Sequence, residues 1–131
     1  MKILTFITFC ILTNSAFAKW QFLGTVSDEQ GDRDEFYDDT PIGKGNFPKL
    51  WILRNYKKGY KDSAGDVYFS EKNLYEFSCK EREYRNRSMI QYADNFGQGN
   101  IIYNTSSNYQ PKWYSIPPET TVDAWYKIVC K

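Results

Sequence analysis

The chain has 131 residues, with 17 lysines and arginines against 16 aspartates and glutamates, and no histidine. That length holds one domain with a modest core, and the near-neutral charge balance gives no global field that would hold nucleic acid or an anionic membrane. The missing histidine excludes Ser–His and Cys–His triads and histidine-ligated zinc.

Residues 1–18 have the layout of a signal peptide. Lys2 makes a basic start, residues 3–12 are almost wholly apolar, and Ala16 and Ala18 flank Phe17 at the positions a signal peptidase reads. The apolar run is short of the roughly 20 residues that span a membrane. A buried N-terminal strand is the alternative, because the Thr and Phe residues at 5–8 suit one, but the basic start and cleavage site favour export. Cys10 lies in the run. A lipid-anchored leader needs a small residue before its cysteine, and Phe9 is large, so Cys10 is expected to leave with the leader. The mature chain is then a single domain, residues 19–131. It carries sixteen basic and sixteen acidic residues once Lys2 is gone, has no stable membrane span, and sits in an oxidising compartment.

Trp20, Phe22, Gly24 and Val26 alternate with Gln21, Leu23 and Thr25, which predicts a first strand with apolar residues on both faces. Residues 28–34 read as a polar turn around Gly31, and residues 35–37 as a short second strand. Residues 40–48 hold three breakers and predict a loop. Residues 49–56, apolar in the middle, are the strongest strand by composition, and the lysine- and glycine-rich residues 57–65 read as a loop. Residues 67–77 predict another strand, with Tyr75, Phe77 and Cys79 on one face at period two. After a turn at 80–83, residues 84–92 return as a strand. Strict alternation there puts Tyr84, Ser88, Ile90 and Tyr92 on one side and Arg85, Arg87, Met89 and Gln91 on the other. A glycine turn at 96–99 leads to a strand at 100–104, a loop, and a short extended piece at 113–116. Pro118 and Glu119 suit a helix start, with Ser115 or Pro117 nearby but no ideal cap. Val122, Trp125, Ile128 and Val129 then mark a helical face. The expectation is an α+β domain: a meander of about six antiparallel strands followed by one C-terminal helix.

Cleavage after Ala18 leaves two cysteines, Cys79 and Cys130. One disulfide is the simplest arrangement for an exported chain, with two free or intermolecular thiols as the alternative. The bridge would close a loop of about fifty residues, worth roughly 4 kcal/mol by chain entropy, and would pin the helix to the sheet face carrying Cys79. Catalytic signals are absent. There is no Cys-x-x-Cys motif, and the glycine pairs Gly43-Lys44-Gly45 and Gly97-Gln98-Gly99 lack the spacing and following helix of a phosphate loop. The acidic residues between Asp28 and Asp39 lack EF-hand spacing and read as a solvated loop with an edge strand. A glycosidase pair could be drawn from so many carboxylates that it carries almost no weight. No catalytic residue, metal or cofactor is expected. The unusual feature is the aromatic content of 18%. Trp20, Trp51, Phe77, Trp113 and Trp125 are expected mainly in the core, leaving some tyrosines exposed. Exposed tyrosine with arginine is the composition of binding hot spots, and Arg82, Tyr84, Arg85, Arg87 and Tyr92 make up the candidate protein-binding segment. The competing reading is a solvated hairpin whose charges protect an edge.

The ordered set of motifs resembles the surface-adhesin protein E family of Gram-negative bacteria. It runs from Trp20 through Leu50-Trp51-Ile52-Leu53 with Asn55-Tyr56, Ser70-x-Lys72, residues 75–80 ending Ser78-Cys79-Lys80, Tyr84-Arg85 and Tyr92. Gly97-x-Gly99, Trp113 with Ile116-Pro117-Pro118, and a helix ending in Cys130 complete it. The resemblance covers nearly the whole mature chain. It implies an antiparallel sheet with a C-terminal helix tethered by a disulfide, and a binding role without catalysis. The family's namesake is an outer-membrane lipoprotein that binds host matrix and plasma proteins such as laminin and vitronectin and can form a homodimer. This chain departs from it in lacking an evident lipid anchor, which leaves both cell surface and periplasm open. With the periplasm goes a second role, inhibitor or partner of a cell-wall enzyme.

Overall fold

The structure, a computed structural model, describes residues 20–43, 45–105 and 111–131. The expected signal peptide, with Cys10, lies outside them. The elements are β1 (Trp20–Asp28), β2 (Gly31–Asp38), β3 (Lys49–Lys61), β4 (Val67–Ser78), β5 (Glu83–Tyr92), a 3-10 turn (Asn95–Gly97), β6 (Ile101–Asn104), β7 (Tyr114–Ser115) and α1 (Thr121–Val129). Six strands lie in the order β1-β2-β3-β4-β5-β6, each antiparallel to its neighbour, and the two-residue β7 also pairs with β5. The meander, the single C-terminal helix and the disulfide are as the sequence predicts. Among the described residues no helix is long and apolar enough to cross a membrane.

Two strands outrun their expected ends. β2 starts at Gly31, because the turn is only Glu29-Gln30: the Gln30 amide donates to Asp28 Oδ1 at 2.9 Å and Gly31 takes φ 93°. β3 continues through the stretch expected to be a loop. Its pairing with β4 slips between Asn55 and Tyr60, then resumes as Tyr60↔Tyr68 and Lys61↔Val67. The rings of Tyr56, Tyr60 and Tyr68 lie within 5.4–5.6 Å of one another. That packing holds a segment whose local composition alone favours a turn.

Cross-strand neighbours share a face, so the registers sort the side chains. Leu50, Ile52, Tyr75 and Phe77 lie on one face and are all buried. Trp125 of α1 packs on them, 4.7 Å from Tyr75 between ring centroids, and Ile116 closes the same core. Val122, Ile128 and Val129 pack around it, the helical stripe the spacing predicts. Trp20, Trp51 and Trp113, expected in the core, are only half-buried; the strand pleat turns Trp51 to the face opposite α1, which no helix among the described residues covers. The helix cap is Thr120, nearer than the residues expected. Its Oγ1 accepts from the Asp123 amide at 3.3 Å, and Asp123 Oδ2 accepts from the Glu119 amide at 3.0 Å.

Cys79, just past β4, is bonded to Cys130, just past α1, across a sequence separation of 51. Tyr126 reinforces the junction: its hydroxyl donates to the Cys79 carbonyl at 2.7 Å. Arg82, in the tight β4–β5 turn at φ 54°, reaches Asp123 Oδ1 at 2.6 Å and lies 5.0 Å over the Tyr126 ring. Turn and helix are thus joined by a covalent bond, an ion pair and a ring contact.

Two outcomes test this junction. Cys130→Ser should lower the unfolding free energy by about 4 kcal/mol, read from denaturant titration, and an unchanged midpoint would rule out the bridge as a constraint. The Glu119 amide chiefly, opposed by burial and aided by Arg82 and Lys127, holds the Asp123 carboxyl below its usual range. A depressed acid stabilises the fold fully above its unfolded pKa of about 3.9 and loses that stabilisation as pH falls through the lower folded value. Asp123→Asn should therefore melt lower than wild type at pH 7, with the gap closing as pH falls below the unfolded value of about 3.9; a gap that persists in strong acid would refute the assignment.

Candidate functional site

The β4–β5 hairpin carries the segment singled out from composition, and its five side chains fall in three places. Arg82 is spent on α1, as described. Tyr84 faces the helix side, its ring 6.1 Å from both Tyr75 and Tyr114. Arg85 points to the opposite face. There its Nε donates to Glu76 Oε1 at 2.6 Å while its guanidinium carbon sits 4.3 Å over the Trp113 ring. Arg87 and Lys49 stand 4.0 Å from the same carboxylate. Tyr92 lies at the far end of β5, where the Lys72 ammonium is 5.3 Å over its ring and 5.7 Å over Trp20.

Strict alternation along β5 fails at a bulge. Leu74 pairs with Ser88 but Tyr75 pairs with Asn86, which leaves Arg87 as the extra residue. The slip moves Tyr84 and Asn86 onto the face of Met89 and Gln91, and puts Arg85 on the face of Ser88, Ile90 and Tyr92. The bulge therefore aims Arg85 and Arg87 together at Glu76. The opposite face also carries exposed aromatics. Phe22 and Phe96 are 61% and 51% exposed and flank Phe36 at 5.5 and 5.6 Å. Phe96 is held at φ 57° by a turn in which Asn95 Nδ2 donates to Asn55 Oδ1 and the Tyr56 carbonyl.

A second site is one that composition did not reveal. On the helix face, beyond the end of α1's coverage, charged and amide side chains replace the apolar core in strict register. Arg33 lies beside Glu35 and pairs with Asp28 through two hydrogen bonds at 2.8 and 3.0 Å. Glu35 Oε1 also accepts from Arg54 Nε at 3.2 Å. Arg54 Nη1 donates to Glu71 Oε1 at 3.3 Å, and Nη2 to the Tyr75 hydroxyl at 3.3 Å. Glu71 accepts further from Asn73 Nδ2 at 2.7 Å and Gln91 Nε2 at 3.2 Å, and Asn73 Oδ1 accepts from Asn86 Nδ2 at 2.8 Å. Arg33, Glu35, Glu71, Asn73 and Gln91 are all buried. The signal was present in the sequence as Arg33-x-Glu35 and Glu71-x-Asn73-x-Tyr75-x-Phe77, polar residues at period two with core residues.

Burial and then the Glu71 carboxylate push the Tyr56 phenol up to about 12. Tyr68 is raised for the same two reasons, and Tyr75 chiefly by burial. Arg54, despite its desolvation, is held firmly charged by Tyr75, Glu35 and Glu71. The network borders a cleft of about 380 Å³ rimmed by Tyr60, Asp62 and Ser63. Among the described residues no group of three or more acidic or cysteine side chains converges as a metal site. Asp28 and Glu35 from the acidic segment are turned to arginines instead. The arrangement offers hydrogen-bonding and ring surfaces for binding, with no nucleophile–base pair.

The family profile described as "Surface-adhesin protein E" matches residues 20–131, from the first strand to the last residue. Among solved structures, that of Haemophilus influenzae protein E superimposes with a TM-score of 0.57 over 83% of each chain, at 16% sequence identity, a likeness of fold. No curated protein sequence matches.

The buried network has a measurable consequence. Glu71→Gln leaves the Arg54 guanidinium with a single carboxylate partner in a desolvated place, which should cost about 3 kcal/mol in urea unfolding. A loss under about 0.5 kcal/mol would mean that water already screens the pair.

Proposed function

The chain belongs to the surface-adhesin protein E family, a family of non-catalytic adhesin domains, and on that premise we propose that it is an exported protein that binds a protein partner through the outer side of the β4–β5 hairpin. The observation that carries the reading is Arg85, fixed between the Glu76 carboxylate and the Trp113 ring. A guanidinium clamped in this way has already lost its rotamer freedom, so docking costs little further ordering. Arginine and tryptophan together are the residues that dominate binding hot spots. Arg87 and Lys49 beside the same carboxylate give the patch a basic cast. Tyr92, beside Lys72 and Trp20, extends the same face, whereas Arg82 and Tyr84 support the hairpin from behind.

By family resemblance the partner class is a host matrix or plasma protein, with laminin and vitronectin the probes to try. The export signal at residues 1–18 and a mature domain from residue 19 belong to the same proposal, as does a cell-surface or periplasmic location in a Gram-negative bacterium.

Two experiments test it. Arg85→Lys keeps a cation beside Glu76 but loses the planar group over Trp113; combined with Arg87→Ala, it should weaken binding to immobilised laminin or vitronectin at least about tenfold with melting nearly unchanged. Full affinity in the double variant would refute the hairpin reading. Protease treatment of intact cells should remove the mature chain if it is displayed. Complete protection, with release in the periplasmic fraction, would overturn host binding and direct the search to envelope partners.

A further inference from the structure

The cleft on the helix face is a site in its own right, separate from the hairpin surface. Its floor is unusually polar for the interior of a sheet. Asn73 is 1% exposed and Gln91 7%, yet both project amide groups towards the cleft, together with Asn86. Each amide nitrogen carries two N–H groups. The internal network uses one from each: Asn73 to Glu71, Gln91 to Glu71, and Asn86 to Asn73. The Tyr75 hydroxyl accepts from Arg54 and keeps its own proton to donate. Several donors with fixed positions therefore line one wall of a cavity of about 380 Å³, within the size range of small-ligand pockets.

The charge balance narrows the ligand. The floor holds one guanidinium, Arg54, and one carboxylate, Glu71, bonded to each other at 3.3 Å. Their fields cancel at short range, and Asp62 on the rim adds a negative charge that disfavours anions. A ligand that matches carries no net charge but many hydrogen-bonding groups, and can lay C–H surface on the rim ring of Tyr60. The neighbouring phenols Tyr56 and Tyr68 are protonated through the neutral range, as tyrosines ordinarily are, and burial raises them further, so the walls add no charge. We propose that the cleft bounded by Arg54, Tyr60, Glu71, Asn73, Asn86 and Gln91 binds a neutral oligosaccharide, with hydroxyls on the amide array and a sugar face on Tyr60.

The donors are held rigid by the network, so little ordering opposes binding. The cleft is open to solvent on one side, which sets the affinity in the millimolar range, on the order of 1 mM.

The test is a titration of the purified chain with neutral trisaccharides of glucose, galactose and N-acetylglucosamine, each to about 20 mM, followed by amide chemical shifts. The expected result is saturating shifts for at least one of them, centred on the six residues named. Gln91→Met removes amide donors at nearly constant volume, and Tyr60→Leu removes the ring; each should weaken binding at least about fivefold while the remaining spectrum stays folded. Absence of shifts for all three sugars would overturn the proposal, as would shifts that map to the Arg85 face. Binding of sialylated or uronic trisaccharides in preference to neutral ones would overturn the charge argument. The map on the wild-type chain decides the matter even if a variant fails to fold.

Discussion

A nine-residue helix spans about 14 Å, whereas strands of twelve and thirteen residues such as β4 and β3 run about 40 Å. The one α-helix among the described residues, α1, is far shorter than these strands and packs at Leu50, Ile52, Tyr75 and Phe77, and the rest of the molecule is organised by that shortfall. Where α1 lies, the sheet is apolar: Leu50, Ile52, Tyr75 and Phe77 meet Trp125. Keeping so short a helix in place requires more than its own contacts, since isolated helices of this length are marginal. The Cys79–Cys130 bond, the Arg82–Asp123 pair and the Tyr126–Cys79 hydrogen bond supply that attachment, all at one end of the β4–β5 hairpin.

Beyond the helix the same face changes character. An apolar surface there would be open to water. The sequence instead places arginines and carboxylates in register across β2, β3 and β4, with amides completing the row on β4 and β5. Buried ion pairs stabilise a fold weakly when compared with well-packed hydrophobic residues, but removing one partner is costly. The network is thus better understood as a device that orders side chains at an open cleft than as a source of stability. It fixes the geometry of Asn73, Asn86 and Gln91, which a mobile surface would lose.

On the opposite face no helix among the described residues competes, and the half-buried tryptophans find other partners. Trp113 takes Arg85, Trp20 takes Lys72, and Phe36 is flanked by Phe22 and Phe96. Cations laid on rings are attracted by the ring quadrupole and cover apolar surface while keeping charge at the solvent boundary. The domain consequently presents two unlike surfaces: a basic and aromatic outer face, and a charge-balanced, amide-lined cleft beside the helix. Membership of an adhesin family accords with a molecule built to display surfaces.

Composition and periodicity by themselves pointed to the strand order, the C-terminal helix and the pairing of Cys79 with Cys130, because these follow from local alternation, breakers and the two cysteines that the expected cleavage after Ala18 would leave. Helical spacing likewise picked out Val122, Trp125, Ile128 and Val129. Tertiary structure decided what depends on register. One extra residue at Arg87 exchanges the faces of half of β5, so strict alternation misassigned Tyr84 against Arg85, and no local pattern signals a bulge that is set by the partner strand. The Tyr56–Tyr60–Tyr68 cluster kept β3 extended through a loop-like composition by contacts with Tyr68 that exist only when β3 and β4 are paired. The polar network escaped sequence reasoning for the same reason: Glu35, Arg54, Glu71 and Gln91 are ordinary surface residues until four strands bring them side by side, where burial and a lowered dielectric make each depend on the others.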